Sequence, residues 1–134
     1  MEKKLETSAT SYIAIPTRTE EVAKLILDAA FKVHTALGPG LLESVYETCL
    51  THDLKSTSLK VQTQVSLPVV YDDITVDSGL RLDLLVENCE IVEVKAVENI
   101  IPLYKAQLLT YMKLSKTRIG LLINFNTIHL RDGI

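Results

Sequence analysis

Tryptophan is absent from this chain, and aromatic residues make up only 5% of its 134 positions. Sequence-tolerant base stacking needs a platform of rings, so that strategy is not visible here. Cysteine occurs twice, at Cys49 and Cys89, in unrelated contexts. With no CxxC pair and no disulfide framework, reduced structural thiols are the expectation. Glycine is sparse, and Gly38-Pro39-Gly40 is not followed by Gly-Lys-Ser/Thr, which excludes a phosphate-cradling P-loop. A tight link between two helices is its expected role. The histidines His34, His52 and His129 lie far apart and off metal-ligand spacing, so they read as structural or surface residues. No Ser/His/Asp or Cys/His arrangement is indicated.

Long apolar runs are also missing, and none approaches the ~20 residues that span a bilayer. The start, Met1-Glu2-Lys3-Lys4-Leu5-Glu6, is too polar for the core of a secretory signal. A cytoplasmic protein with no membrane partner is therefore expected. Basic excess is lacking, since the net charge is −3. That weakens a nucleic-acid reading without excluding it, because a bound divalent cation adds local positive charge.

What is present is a globular composition, 47% hydrophobic and 23% charged, long enough for one core. Residues 1–16 are polar, lack periodicity and end at Pro16, which predicts a flexible N-terminal tail ahead of one domain over 17–134. Thr17, Thr19, Glu20 and Glu21 suit a helix start. Val22, Leu25, Ile26, Ala29, Ala30, Val33 and Leu37 then recur at helical spacing until Gly38-Pro39 stops them. A second helix is predicted from near Gly40 to about Lys55, with Leu42, Val45, Cys49, Leu50 and Leu54 as its stripe.

From Lys60 the period changes to two. Val61, Thr63 and Val65 alternate with polar residues, and Leu67–Tyr71 is a β-rich run interrupted by Pro68. Asp72-Asp73 and Asp77-Ser78-Gly79 read as turns. Leu80–Glu87 and Ile91–Ala96 read as paired strands, and Pro102 suits the first turn of a helix reaching Ser115. Arg118–Phe125 is nearly continuous apolar sequence, which predicts a strand buried on both faces, with a short edge strand over Thr127–Leu130.

The chemistry concentrates in the segment from Arg81 to Lys95. Strand alternation puts Glu93 and Lys95 on one face, and Asp83 lies on the preceding strand. Asp83 joins that face if it opposes Lys95 and Leu85 opposes Glu93, which needs the odd-numbered loop Asn88-Cys89-Glu90 or a bulge. A two-residue loop would send it to the far face. Two carboxylates with open positions suit Mg²⁺ or Mn²⁺, and a lysine beside them orients water or offsets developing charge. The plain alternative is an exposed strand pair carrying surface ion pairs of little worth. Two more fragments join it: Gly40-Leu41-Leu42-Glu43-Ser44-Val45-Tyr46 before the strands, and Gln107 with Tyr111 at i, i+4 on the later helix.

In this order and at these distances, the fragments resemble the GxxExxY proteins of the PD-(D/E)XK nuclease superfamily, over about Glu20 to Ile134. Gly40, Glu43 and Tyr46 carry the naming motif; Asp83 with Glu93-Val94-Lys95 carries the strand signature; Gln107 and Tyr111 carry the QxxxY helix. The Leu121–Asn126 strand and the Asp132-Gly133-Ile134 ending are also similar. Leu82 stands where many members have proline.

The resemblance implies an α/β, restriction-endonuclease-like core, a mixed central β-sheet flanked by α-helices with the active site at its opened edge. It implies Mg²⁺ or Mn²⁺ held by Asp83, Glu93 and the Val94 backbone carbonyl, with Glu43 as a further metal or water ligand. Lys95 would position the attacking water, and Gln107 and Tyr111 would orient the metal site and touch phosphate. The expected function is divalent-metal-dependent hydrolysis of phosphodiester bonds in DNA. The rival expectation is a non-catalytic nuclease-fold module for nucleic-acid or protein interaction. Lys105, Lys113, Lys116 and Arg118 are candidate phosphate contacts, and so small a domain favours a homodimer.

Overall fold

The computed structural model describes residues 17–134, so the expected tail lies outside the described residues. Helix α1 (Thr17–Leu37) buries Val22, Ile26, Ala29, Ala30 and Val33 along one stripe. It ends where the Gly38 N–H bonds the His34 carbonyl at 2.8 Å, with Gly38 in the left-handed conformation that glycine adopts without penalty.

Helix α2 (Glu43–Ser56) starts three residues later than its sequence suggested. Its buried side chains are Tyr46, Leu50 and Leu54, whereas Leu42 is 74% exposed. The predicted stripe was therefore rotated: an apolar count favours Leu42 and Val45, but Tyr46 reaches the core because its hydroxyl finds partners. The Tyr46 Oη–H donates to the Gly38 carbonyl at 2.6 Å and accepts the Leu41 N–H at 3.0 Å. Its ring stacks on Phe125 with centroids 4.7 Å apart.

Strands β1 (Val61–Ser66), β4 (Arg81–Val86), β5 (Glu90–Lys95) and β6 (Ile119–Asn124) form one sheet in the order β1-β4-β5-β6. The first two pairings are antiparallel and β5–β6 is parallel, joined through helix α3 (Pro102–Ser115). This is a mixed α/β architecture with a mostly antiparallel sheet and three helices around it. Strands β2 (Val69–Tyr71) and β3 (Ile74–Val76) make a separate hairpin turning at Asp72-Asp73.

One apolar core gathers α1 and α2 against Leu84, Val86, Val92, Val94, Ile123 and Phe125. A second, under α3, holds Leu67, Leu82, Ile91 and Leu108. Gly120 lets α3 approach β6, since a Cβ there would lie 2.6 Å from Met112 Sδ and 2.8 Å from Leu108 Cδ1.

Three expectations are corrected. Strand β6 is an edge strand, half-buried from Ile119 to Leu122, because among the described residues only β5 pairs with it. No strand forms over Thr127–Leu130; the chain bends and closes in a 3₁₀ turn, Leu130–Gly133. The β4–β5 turn is Glu87-Asn88-Cys89, not Asn88-Cys89-Glu90, because Glu87 and Asn88 both take the left-handed conformation and Glu90 enters the strand.

Candidate active site

The turn is odd-numbered, so strand parity still brings Asp83 toward Glu93, but the register differs from the predicted one. Leu85 faces Ile91, and Leu84 faces Val92, two residues away from the expected pairing of Leu85 with Glu93. The ladder between β4 and β5 stops at Leu84 and Val92. Beyond it the two acids cross-brace the strands. The Val94 N–H donates to Asp83 Oδ2 at 2.9 Å, and the Asp83 N–H donates to Glu93 Oε2 at 3.0 Å. Each carboxylate thus satisfies an N–H that the parted ladder leaves open.

The opposite side of β4 is irregular at the same level. The β1–β4 register runs through Thr63 with Leu84 and resumes at Val65 with Leu82, skipping Gln64, whose φ is +51°. Val61 and Leu84 belong to the core under α1 and α2, whereas Leu82 belongs to the cluster under α3 and Val65 packs on it. Side chains two apart share a face in a regular strand, so this strand pair turns over at Gln64 and Asp83. Asp83 sits where the sheet changes face.

Helix α2 adds two acids from its first turns. Glu43 Oε2 accepts the Ala96 N–H at 3.2 Å, tying α2 to the end of β5. Glu47, four residues on, accepts Gln64 Nε2 at 3.1 Å on each oxygen, and the same Nε2 lies 3.4 Å from Asp83 Oδ1. Glu47 and Gln64 escaped the sequence reading. The i, i+4 spacing of Glu43 and Glu47 was a usable signal; nothing in the sequence marks the backbone of Gln64.

Lys95 leaves the sheet toward α3, its Nζ lying 4.6 Å from the centroid of the Tyr104 ring. Among the described residues no ion pair joins it to a carboxylate. On α3, Tyr111 packs on the cluster beneath that helix, and Gln107 is half-buried one turn earlier. The site is acidic, with Glu93 buried in it, Asp83 and Glu47 half-buried and Glu43 exposed. Burial pushes the Glu93 carboxyl up to about 7, with repulsion from Asp83 and Glu47 adding and the Asp83 N–H and Lys95 opposing. Burial also raises Glu47, helped by Asp83 and Glu43 and opposed by the Gln64 hydrogen bond. Tyr111 is raised by burial and then by Glu93 and Asp83, which places its hydroxyl in the field of both acids.

Such a donor set is hard oxygen throughout. No three of the described His, Cys, Asp or Glu side chains are gathered closely enough to cage an ion among themselves. Mg²⁺ does not need such a cage, because it keeps several waters and uses one or two carboxylates. A buried carboxyl that holds its proton to about 7 beside other acids is also one that a cation would relieve.

Remaining features have local explanations. His34 Nε2 donates to the Thr127 carbonyl at 2.7 Å, a structural contact. Both cysteines are free. Asn124 is buried and accepts the Val97 N–H through Oδ1 while donating to the Val97 carbonyl, which fixes the segment after Lys95. Among the described residues no helix is long and apolar enough to cross a membrane.

The architecture is of the restriction-endonuclease-like class. Residues 20–134 match the sequence profile of the PD-(D/E)XK nuclease superfamily, and the chain belongs to that superfamily. Neither the curated proteins nor the solved structures contain a significant match to this chain.

Proposed function

We propose that this protein is a Mg²⁺- or Mn²⁺-dependent nuclease that hydrolyses phosphodiester bonds in DNA, and that it falls within the GxxExxY group. The observation that carries the reading is the cross-bracing of Asp83 and Glu93 where the β4–β5 ladder parts. Each acid commits one oxygen to a backbone N–H, leaving Asp83 Oδ1 and Glu93 Oε1 clear of backbone partners among the described residues. Those oxygens and the Val94 carbonyl would hold the ion, and Glu43 would supply a further metal or water contact. When bound, the ion supplies Lewis acidity at the scissile phosphate.

The chain's own residues do the rest. Lys95 orients the attacking water and offsets charge developing on the phosphate. Gln107 and Tyr111 line the α3 side, where the Tyr111 hydroxyl orients the acids and contacts backbone phosphate. The GxxExxY motif acts as one unit. Gly40, at φ +103°, shapes the loop, Tyr46 pins it, and Glu43 is delivered to Ala96. Exposed Lys105, Lys113 and Lys116 on and beyond α3 extend the phosphate-binding surface.

The second reading, a non-catalytic interaction module, is favoured by Lys95, whose Nζ lies over the Tyr104 ring and, among the described residues, forms no ion pair with either acid. Incubating the protein with single-stranded, duplex and branched DNA plus Mg²⁺ or Mn²⁺ separates the two. Metal-dependent cleavage that falls about 10²–10³-fold in Lys95→Ala, and vanishes in Asp83→Asn, supports the nuclease. Saturable, Asp83-dependent Mn²⁺ binding without cleavage of any of these substrates supports the module.

A further inference from the structure

The geometry points to Gln64 and Glu47 as a positioning pair that aims Asp83, an inference that rests on the metal-site reading above. Asp83 Oδ2 is held by the Val94 N–H at 2.9 Å, but one hydrogen bond leaves the carboxylate free to turn about it. The contact to Oδ1 is Gln64 Nε2, at 3.4 Å. An amide nitrogen carries two hydrogens and no charge, so it can serve two carboxylates at once. Here one hydrogen goes to Glu47, whose two oxygens each lie 3.1 Å away, and the other goes to Asp83. A carboxylate at 64 would repel both partners. An alkyl chain would leave Glu47 and Asp83 facing each other unbridged.

The backbone is bent to make this reach. Gln64 occupies the left-handed region at φ +51°, uncommon for a residue other than glycine, asparagine or aspartate. It is also the residue that the β1–β4 ladder skips, directly across from Asp83. A strained position facing a functional carboxylate is where the fold spends stability to set geometry. Glu47 completes the arrangement from α2, one turn beyond Glu43, so the helix that delivers Glu43 to Ala96 also sets the rotamer of Gln64. Partners that orient a metal ligand in this way usually weigh about 10–100-fold on metal affinity when removed.

Two measurements on the full chain test this. The first, without metal, follows the side-chain amide of Gln64 by nitrogen-15 NMR. Slowed exchange is expected, with one amide proton moved by Glu47→Gln and the other by Asp83→Asn. Exchange at the rate of a free glutamine, indifferent to both substitutions, overturns the pair whatever the metal does. The second is calorimetric titration with Mn²⁺. Gln64→Asn is the informative variant, because asparagine tolerates the left-handed backbone but is one methylene too short to bridge. It should weaken Mn²⁺ about tenfold with an unchanged unfolding midpoint, and Glu47→Gln added to it should cost little more. Mn²⁺ binding abolished by Asp83→Asn yet untouched by Gln64→Asn overturns the positioning role and leaves the metal site standing. No saturable Mn²⁺ binding by the parent overturns both.

Discussion

At the scale of single residues, Glu93 decides how this site responds to pH. Its folded-state carboxyl titrates near 7, against 4.5 for the ordinary group. Between those values the folded chain holds a proton that the unfolded chain has released, so metal-free stability falls as pH rises through the window. Glu93→Gln should remove its share of that slope and raise metal-free stability at about pH 8 by on the order of 3 kcal/mol. Urea unfolding in the presence of a chelator measures it, and an unchanged slope would show that Glu93 is ionised in the fold. The proton also competes with the cation, so Mn²⁺ affinity should strengthen from about pH 6 to about pH 8 in the parent.

Glu90 makes a useful control. It is fully buried, its Oε1 has no hydrogen-bond partner among the described residues, and burial alone pushes it up to about 7. It lies at the far end of β5 from Lys95, beside the β4–β5 turn. Glu90→Gln should therefore flatten the same stability profile while leaving Mn²⁺ affinity and its pH dependence unchanged. The D…ExK spacing was readable because strand alternation is a strict rule. The burial that shifts these carboxyls was not, since it depends on α2 and α3 closing over the sheet.

At the scale of elements, two close approaches hold the site together. Tyr46 pins the loop between α1 and α2, its hydroxyl joined to Gly38 and Leu41. Tyr46→Phe keeps the stack on Phe125 but leaves the half-buried Gly38 carbonyl without its donor, at about 1 kcal/mol in urea unfolding. A loss below a few tenths of that would mean the loop is held by other contacts. Gly120 does the same for α3. A methyl group there meets Met112 and Leu108, so Gly120→Ala should cost about 1–3 kcal/mol and shift Tyr111 relative to the acids. Helix periodicity, the stop at Gly38-Pro39 and the start at Pro102 made all three helices legible in the sequence. The Tyr46 stripe and the edge position of β6 were not, because side-chain partners and strand order are tertiary choices that apolar counts do not contain.

At the scale of the whole molecule, a four-stranded sheet is opened at one level, and four acids gather around it. Asp83 comes from β4, Glu93 from β5, Glu43 and Glu47 from α2, with Tyr111 beside them on α3. The strand order β1-β4-β5-β6 places this opening between the two central strands, with the continuous β5–β6 ladder on one side and the interrupted β1–β4 ladder on the other. The predicted register missed it by two residues because it placed the turn at Asn88-Cys89-Glu90; the observed turn, Glu87-Asn88-Cys89, sets Leu85 against Ile91, and the acids lie where pairing ends. A crystal soaked in Mn²⁺ at about pH 8, read by anomalous scattering, tests the central claim most directly. One strong peak in contact with both the Asp83 and Glu93 carboxylates is the predicted result. Aspartate and glutamate carboxylates left bare, with manganese bound elsewhere or Asp83 turned away from Glu93, would contradict it.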